Sequence, residues 1–163
     1  TFFPQAKSNF PLTTHAMEIN RNMPQSAALR IKELFRGDLR GRDILVMGAS
    51  YRGDVGDTRF SPSEALVDLL MNAGANVRVH DPLATTWATV AVSVESELPS
   101  ANNFDAIVFA TPHSDFRALD LVTWLGGHQP FILDSNNVLT AHQRETLLHH
   151  AFSRFHSTGR GYR

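Results

Sequence analysis

Arg52 and Arg59 flank Asp54 and Asp57 in the segment GASYRGDVGDTRFSPSEALVDLL, which runs from an apolar stretch into a well-marked helix start. A guanidinium donates paired hydrogen bonds from a planar fork, a geometry that phosphate oxygens accept well. A helix N-terminus adds partial positive charge from N–H groups that lack intrahelical partners. These residue types point to anion capture, with Arg52 and Arg59 presented near the helix that begins at Pro62. The same spacing admits a plainer outcome, in which Asp54 and Asp57 take the two arginines into internal ion pairs that order the loop. Neither standard phosphate loop is present. Four residues, Ala49, Ser50, Tyr51 and Arg52, separate Gly48 from Gly53, which breaks the G-x-G-x-x-G spacing. Gly53 is followed by Asp54 and Val55, where a P-loop needs Lys and Ser/Thr.

Other residues able to do chemistry are weighed against structural roles. Asp81 ends an alternating run, where a dinucleotide-binding fold places its ribose-binding acid; without the glycine loop, a turn role ahead of Pro82 is the better fit. His113 follows ATP in the sequence and either contacts a nucleotide or hydrogen-bonds to a neighbouring loop. Asp134, Asn136 and Asn137 are read as loop fasteners around a cleft. Trp87 and Trp124 are read as packing residues. His142, His149 and His150 lack the i, i+4 spacing of a two-histidine metal face, so no metal site is expected.

The elements that must position these residues follow from hydrophobic period. Residues 1–12 contain two prolines and no clear period and read as an arm. A helical stripe starts near Thr13 and continues through Ala27, Ile31, Leu34 and Phe35; Pro24 either kinks one helix or starts a second. RDILVMG is a short apolar run of strand length. Ser61 reads as an N-cap, Pro62 as the first helical residue and Glu64 as the partner in a capping box. NVRVHDP is a second strand and ATVAVSVE a weaker one. SELPSANNF holds a short helix, and DAIVFAT and PFILDS are further buried strands. Phe116, Leu119, Val122 and Leu125 keep helical spacing up to Gly126-Gly127. A last helix, TAHQRETLLHHAFSRF, is capped by Thr140, and HSTGRGYR is read as a flexible tail. Strands alternating with helices imply an α/β fold with a doubly wound, mainly parallel sheet, helices on both faces and a preceding N-terminal helix. Ligands bind such sheets beyond the carboxyl ends of the strands.

Composition sets the bounds. The 163 residues carry a formal net charge of −1, so no global basic field recommends nucleic acid. There is no cysteine, which excludes a disulfide framework, a thiolate metal site and a cysteine nucleophile within this chain. No apolar run approaches a membrane span. The first residue is Thr1, and the expectation is a chain processed or cut from something longer.

The quoted loop resembles the G-x-x-Y-K-G-x-x-x-D-x-R-x-S-P segment in the carboxy-terminal domain of the UDP-glucose/GDP-mannose dehydrogenase family. AMEINRNMP is similar to that family's A-x-x-x-N-x-x-M/Q-P segment, and LMNAGANVRVHDP to its G-A-x-V-x-x-x-D-P segment. FDAIVFATPHSDFRAL resembles D-A-x-x-x-x-T-x-H-x-x-F/Y, ILDSNNVL resembles D-x-x-N, and GRG near the end is similar to a bacterial C-terminal ending. The resemblance implies residues 1–36 as an arm and the end of a central linking helix, and residues 37–163 as a Rossmann-like UDP-binding domain. It implies a nucleotide-sugar 6-dehydrogenase that oxidises a UDP-sugar C6 alcohol to a carboxylate for polysaccharide precursors, with NAD bound mainly by an N-terminal domain outside this chain. Tyr51 and Arg52 match substrate-contacting positions, with Arg52 standing where the family has lysine, and Arg160 in GRG matches a substrate-binding arginine. Arg59 matches an arginine that reaches toward the NAD site, and Phe60 replaces the family's glutamate beside it. No catalytic residue is expected in this chain, which is expected to be inactive alone, cytoplasmic in the full-length enzyme, and part of a homodimer there. The sugar stays open. The reading from another class is a standalone, non-enzymatic α/β module that binds a nucleotide or a partner.

Overall fold

A computed structural model describes residues 11–87, 92–149 and 154–158, with the side chains of the first helix described from residue 22 onward. Arg160 and the arm residues 1–10 lie outside the described residues. The elements run α1 (Pro11–Leu34), β1 (Asp43–Met47), α2 (Pro62–Asn72), β2 (Asn76–His80), β3 (Val94–Glu95), a 3₁₀ turn (Ala101–Asn103), β4 (Ala106–Phe109), α3 (Ser114–Ala118), α4 (Leu121–Leu125), β5 (Phe131–Asp134), α5 (Ala141–His149) and β6 (Phe155–Ser157). Pro24 sits inside the single helix α1.

The strands form one six-stranded sheet in the order β3-β2-β1-β4-β5-β6, and every pairing is parallel. β1 is central and pairs with β2 on one side and β4 on the other, so Val46 lies opposite both Val79 and Val108. A strand flanked on both sides and covered on both faces must be apolar throughout, which is why Ile44, Leu45, Val46 and Met47 form an unbroken run. Its alternation divides the core. Ile44 and Val46 join Ala27 and Ile31 of α1 and Leu66, Val67 and Leu70 of α2 on one face. Leu45 and Met47 join Phe116 of α3, Leu121 and Leu125 of α4 and Leu147 of α5 on the other. Each such large apolar side chain contributes about 1.5–3 kcal/mol by leaving water. The fold is therefore doubly wound, with helices on both faces.

Three local features depart from the periodicity reading. The helix expected across Phe116 to Leu125 is two short helices, because Asp120 stops one and caps the next. Its carboxylate accepts the N–H groups of Val122 at 3.1 Å and Thr123 at 3.2 Å, while Leu119 is extended. β6 takes Phe155, the expected end of the last helix, together with His156 and Ser157 of the expected tail, and pairs with β5 from Ile132↔Phe155 to Asp134↔Ser157. Glu64 does not complete a capping box at α2. The Ser61 N–H goes to the Thr58 carbonyl at 3.3 Å, and the Ser61 hydroxyl accepts from the Ser63 N–H at 3.2 Å. A reciprocal box does form at α5, where Thr140 N donates to Gln143 Oε1 at 2.9 Å and Gln143 N to Thr140 Oγ1 at 3.1 Å. Of the weak strand at ATVAVSVE, residues 88–91 lie outside the described residues, and Val94–Glu95 form β3.

Strand order reverses between β1 and β4. Chains leaving neighbouring strands there diverge to opposite faces and leave a crevice at the carboxyl edge. The loop of residues 48–61, the turn after β2, the Thr111–His113 segment after β4 and the Ser135–Asn137 segment after β5 all meet at that edge.

Candidate functional site

The long loop after β1 is anchored by one carboxylate. Asp81, at the end of β2, is fully buried. Its Oδ2 accepts from the N–H groups of Ala49 and Ser50 and from the Ser50 hydroxyl, each at 2.9 Å. Its Oδ1 accepts from Leu83 N at 3.0 Å and Ala84 N at 2.9 Å. The fifth donor residue is His113, whose Nε2 lies 3.1 Å from Oδ2. Burial pushes this carboxyl's pKa up, but the hydrogen bonds from His113, Leu83 and Ser50 outweigh it and hold the group well below the usual carboxylate range. Asp81 does fill the turn role read from the sequence, and it does more, since one oxygen also fixes the opposite loop.

His113 is fully buried too. The Asp54 N–H donates to its Nδ1 at 3.1 Å. A backbone N–H can only donate, so Nδ1 accepts and the ring proton belongs on Nε2, aimed at Asp81. Asp54 then grips the next residue along: its Oδ1 accepts from both the N–H and the hydroxyl of Ser114 at 2.8 Å, and those two bonds lower its pKa. Two glycines allow the backbones to approach. A Cβ on Gly48 would lie 2.3 Å from Thr111 Cβ, and one on Gly53 would lie 2.2 Å from the Pro112 carbonyl oxygen. Thr111 Oγ1 and Ser61 Oγ both donate to the Ser50 carbonyl, at 2.9 and 3.2 Å. The start of α2 and the end of β4 are thereby fastened to the same peptide.

This scaffold presents a cleft of about 420 Å³ at the switch point, within the usual range of roughly 300–1,000 Å³ for ligand pockets. Met23, Pro24 and Ala27 of α1, Leu66 of α2 and Ala110 after β4 give it apolar walls. Tyr51, Arg52, Ser63, Ser135 and Asn136 give it polar ones. Asn136 donates through Nδ2 to the Ala110 carbonyl at 3.1 Å, and Ser135 Oγ donates to the Phe109 carbonyl at 2.9 Å. Their remaining oxygen lone pairs are acceptor positions at the cleft.

The structure separates the two arginines that the sequence put together. Arg52 lines the cleft and makes no ion pair among the described residues. Arg59 does not line it: its guanidinium holds Asp57 through two bonds, Nε–Oδ1 at 2.9 Å and Nη2–Oδ2 at 2.6 Å, on the open surface with its side chain 81% exposed. The internal ion pair is thus formed by Arg59 with Asp57, while Arg52 and Asp54 do not pair. Tyr51 stands beside Arg52 at the cleft. Phe60, next to Arg59, is 91% exposed with a left-handed φ of 59°. Trp87 is buried in the first core face, and Trp124 Nε1 donates to the Pro99 carbonyl at 2.9 Å, so both pack. Among the described residues no group of three or more acidic, histidine or cysteine side chains is placed to hold a metal ion, and no helix is long and apolar enough to cross a membrane.

Two features escaped the sequence reading. The α1 wall of the cleft comes from residues that periodicity assigned simply to a stripe. The Asp81–His113 contact joins segments far apart in the chain, and its one signal was that Asp81 directly follows β2 and His113 lies in the segment after β4, at the same sheet edge.

A doubly wound parallel sheet with an apolar-walled cleft at its switch point, lined by Arg52, defines a Rossmann-like nucleotide-binding domain. It is one in which the acid at the end of β2 is consumed internally. The chain belongs to the UDP-glucose/GDP-mannose dehydrogenase family, whose UDP binding domain matches residues 45–141. It is 32% identical over 117 residues to the UDP-N-acetyl-D-mannosamine dehydrogenase of Methanococcus aeolicus, covering 71% of this chain and 26% of that protein. It is 30% identical over 132 residues to the UDP-glucose 6-dehydrogenase of Rickettsia conorii, covering 74% of this chain and 29% of that protein. The crystal structure of NDP-N-acetyl-D-galactosaminuronic acid dehydrogenase from Methanosarcina mazei shares the fold. It superposes with a TM-score of 0.71 at 24% identity, over 96% of this chain and 33% of that one. The chain therefore spans between a quarter and a third of the length of these relatives.

Proposed function

We propose that this chain is the UDP-grasping part of an NAD-dependent nucleotide-sugar 6-dehydrogenase, which converts a UDP-sugar C6 alcohol to a carboxylate for polysaccharide precursors in the cytoplasm. The observation that carries the reading is Arg52, a cation without an ion-pair partner among the described residues, on a fixed loop and lining a cleft at the sheet's switch point. The apolar walls suit the uracil and ribose, Arg52 suits the diphosphate, and Tyr51, Ser63, Ser135 and Asn136 offer hydrogen bonds to the nucleotide or sugar. Arg160 is assigned to the same substrate by its GRG setting. Residues 1–36 belong to the arm and central linking helix, and residues 37–163 to the UDP-binding domain. In the whole enzyme this chain would pair with a second copy.

NAD, when bound to the whole enzyme, supplies the hydride acceptor. The residues here do not fit it at the usual dinucleotide site. Asp81, the position that would hold an adenosine ribose, is buried and already accepts from five residues. The cofactor is therefore assigned to a segment outside this chain, with Arg59 as the one residue proposed to reach it. His113 is committed to Asp81 and Asp54 and is not free to move a substrate proton. No catalytic group is assigned within the chain, and it is expected to make no NADH from any UDP-sugar on its own.

Titration calorimetry of the 163-residue chain with UDP, UMP and GDP tests this. Saturable binding with UDP ahead of UMP supports a diphosphate site, and preference over GDP supports a uracil slot. No heat with UDP up to millimolar concentration contradicts the proposal as it concerns this chain.

A further inference from the structure

Tyr51 and Arg52 sit on a short bridge of chain, and both of its piers stand on the same carboxylate oxygen. On the near side, Ser50 is fixed by two bonds to Asp81 Oδ2. On the far side, Asp54 N is fixed to His113 Nδ1, and His113 Nε2 returns to Asp81 Oδ2. The far pier is strained as well as bonded: Asp54 holds a left-handed φ of 59°, which a non-glycine residue keeps only where its surroundings fix it. Those surroundings are His113 and Ser114. Gly53 presses its backbone against Pro112, and Tyr51 N closes the loop onto the Asp57 carbonyl at 2.8 Å. The His113 ring is packed into place: it is fully buried and stands edge-to-face against Phe116 with ring centroids 5.2 Å apart.

We infer that His113 is the positioning residue of the cleft: by accepting the Asp54 N–H on Nδ1 while donating Nε2–H to Asp81, it sets the pose of Tyr51 and Arg52. The consequence for ligand affinity rests on the reading of the cleft as a UDP site; the consequence for loop geometry does not. The two ring nitrogens have separable jobs. An asparagine at this position puts an amide oxygen near the place of Nδ1 and keeps the acceptor for Asp54, but cannot reach Asp81. A glutamine puts an amide nitrogen near the place of Nε2 and keeps the donor to Asp81, but loses the acceptor. A residue that merely filled space or anchored Asp81 would rank glutamine at least level with asparagine. The positioning role ranks asparagine first.

The test combines ring-nitrogen NMR of the unsubstituted chain with amide spectra and hydrogen exchange of His113→Asn and His113→Gln. In the unsubstituted chain His113 should carry its proton on Nε2, and the Asp54 amide should exchange slowly. His113→Asn should keep most of the Asp54 protection and the Tyr51 and Arg52 amide positions. His113→Gln should lose that protection at least tenfold and displace both amides. Where UDP binds, its affinity should fall at least tenfold more in His113→Gln than in His113→Asn. A proton on Nδ1 in the unsubstituted chain overturns the inference without any variant, and so does equal disturbance of the loop by the two substitutions. Failure of the unsubstituted chain to bind UDP counts against the proposed function alone, because ring and amide signals decide the positioning role in the absence of ligand.

Discussion

The Arg59 guanidinium lies 2.6 Å from the Asp57 carboxylate in a two-bond fork, and the Arg59 main-chain N–H adds a third bond to the same group at 3.1 Å. Arg59 holds the Asp57 pKa down at about 2. The pair is solvent-exposed, and exposed pairs contribute little to folding because water competes for both charges. Arg59→Ala should therefore leave the urea midpoint of the chain unchanged within error. A clear loss would mean that the pair braces the loop more strongly than its exposure implies.

Asp81 gives the opposite expectation. Replacing it with Asn removes the charge that His113 faces and turns an amide N–H₂ toward donors that need an acceptor. Breaking a buried pair and stranding buried donors should cost about 3 kcal/mol in urea denaturation. A loss under roughly 1 kcal/mol would mean that solvent replaces the carboxylate.

The same residue sets an acid sensitivity. Its folded pKa is depressed below the ordinary aspartate value of about 3.9. The unfolded chain thus takes up the proton first as pH falls. The Asp81 contribution is complete above about pH 5 and is lost progressively as pH drops through 4 and lower. Denaturation midpoints measured from pH 6 to pH 2 should fall less steeply for Asp81→Asn than for the unsubstituted chain. Parallel slopes would remove Asp81 as a source of the acid transition.

Gly53→Ala tests the contact between loop and strand end. The glycine does not hold a left-handed φ, so the cost comes from the Pro112 carbonyl in the path of a methyl group. Pushing the segments apart should cost about 1–3 kcal/mol and lower UDP affinity through displacement of Arg52. Unchanged affinity would show that Arg52 tolerates a moved loop.

Gln143 holds the broken α3–α4 segment to α5. Its Nε2 donates to the carbonyls of Phe116 and Leu119, both at 2.9 Å, while Oε1 completes the cap at Thr140. Gln143→Ala should cost about 2 kcal/mol by losing the cap and leaving carbonyls unpaired, with UDP binding intact because none of these groups lines the cleft.

Most of the fold was legible because its signals are local. ILVM and AIVF are continuous apolar runs that suit central parallel strands, and Ser61-Pro62 marks the start of α2 without help from distant residues. The features that were hidden depend on a partner strand or on local hydrogen bonds that override the period. Phe155–Ser157 has no strand pattern of its own and becomes β6 only by pairing with β5. Phe116 through Leu125 keep a helical period across the break at Asp120, so periodicity alone cannot see the stop. Glu64 has the type and spacing for a capping box, but the Thr58 carbonyl already takes the Ser61 N–H. At the site, Tyr51 and Arg52 were visible as residue types on a strand-to-helix loop. The choice between ligand and internal ion pair was not visible, because it depends on which aspartate each arginine meets. Arg59 meets Asp57, while Asp54 is turned toward Ser114 and Arg52 has no ion-pair partner among the described residues.

The proposed function has Arg52, and not Arg59, grip the diphosphate. Calorimetric titration of UDP into the unsubstituted chain, Arg52→Ala and Arg59→Ala measures it directly. A charge-assisted contact to phosphate predicts at least a tenfold loss of affinity for Arg52→Ala, against less than a twofold change for Arg59→Ala. Equal affinities for Arg52→Ala and the unsubstituted chain, or a larger loss for Arg59→Ala, would contradict it.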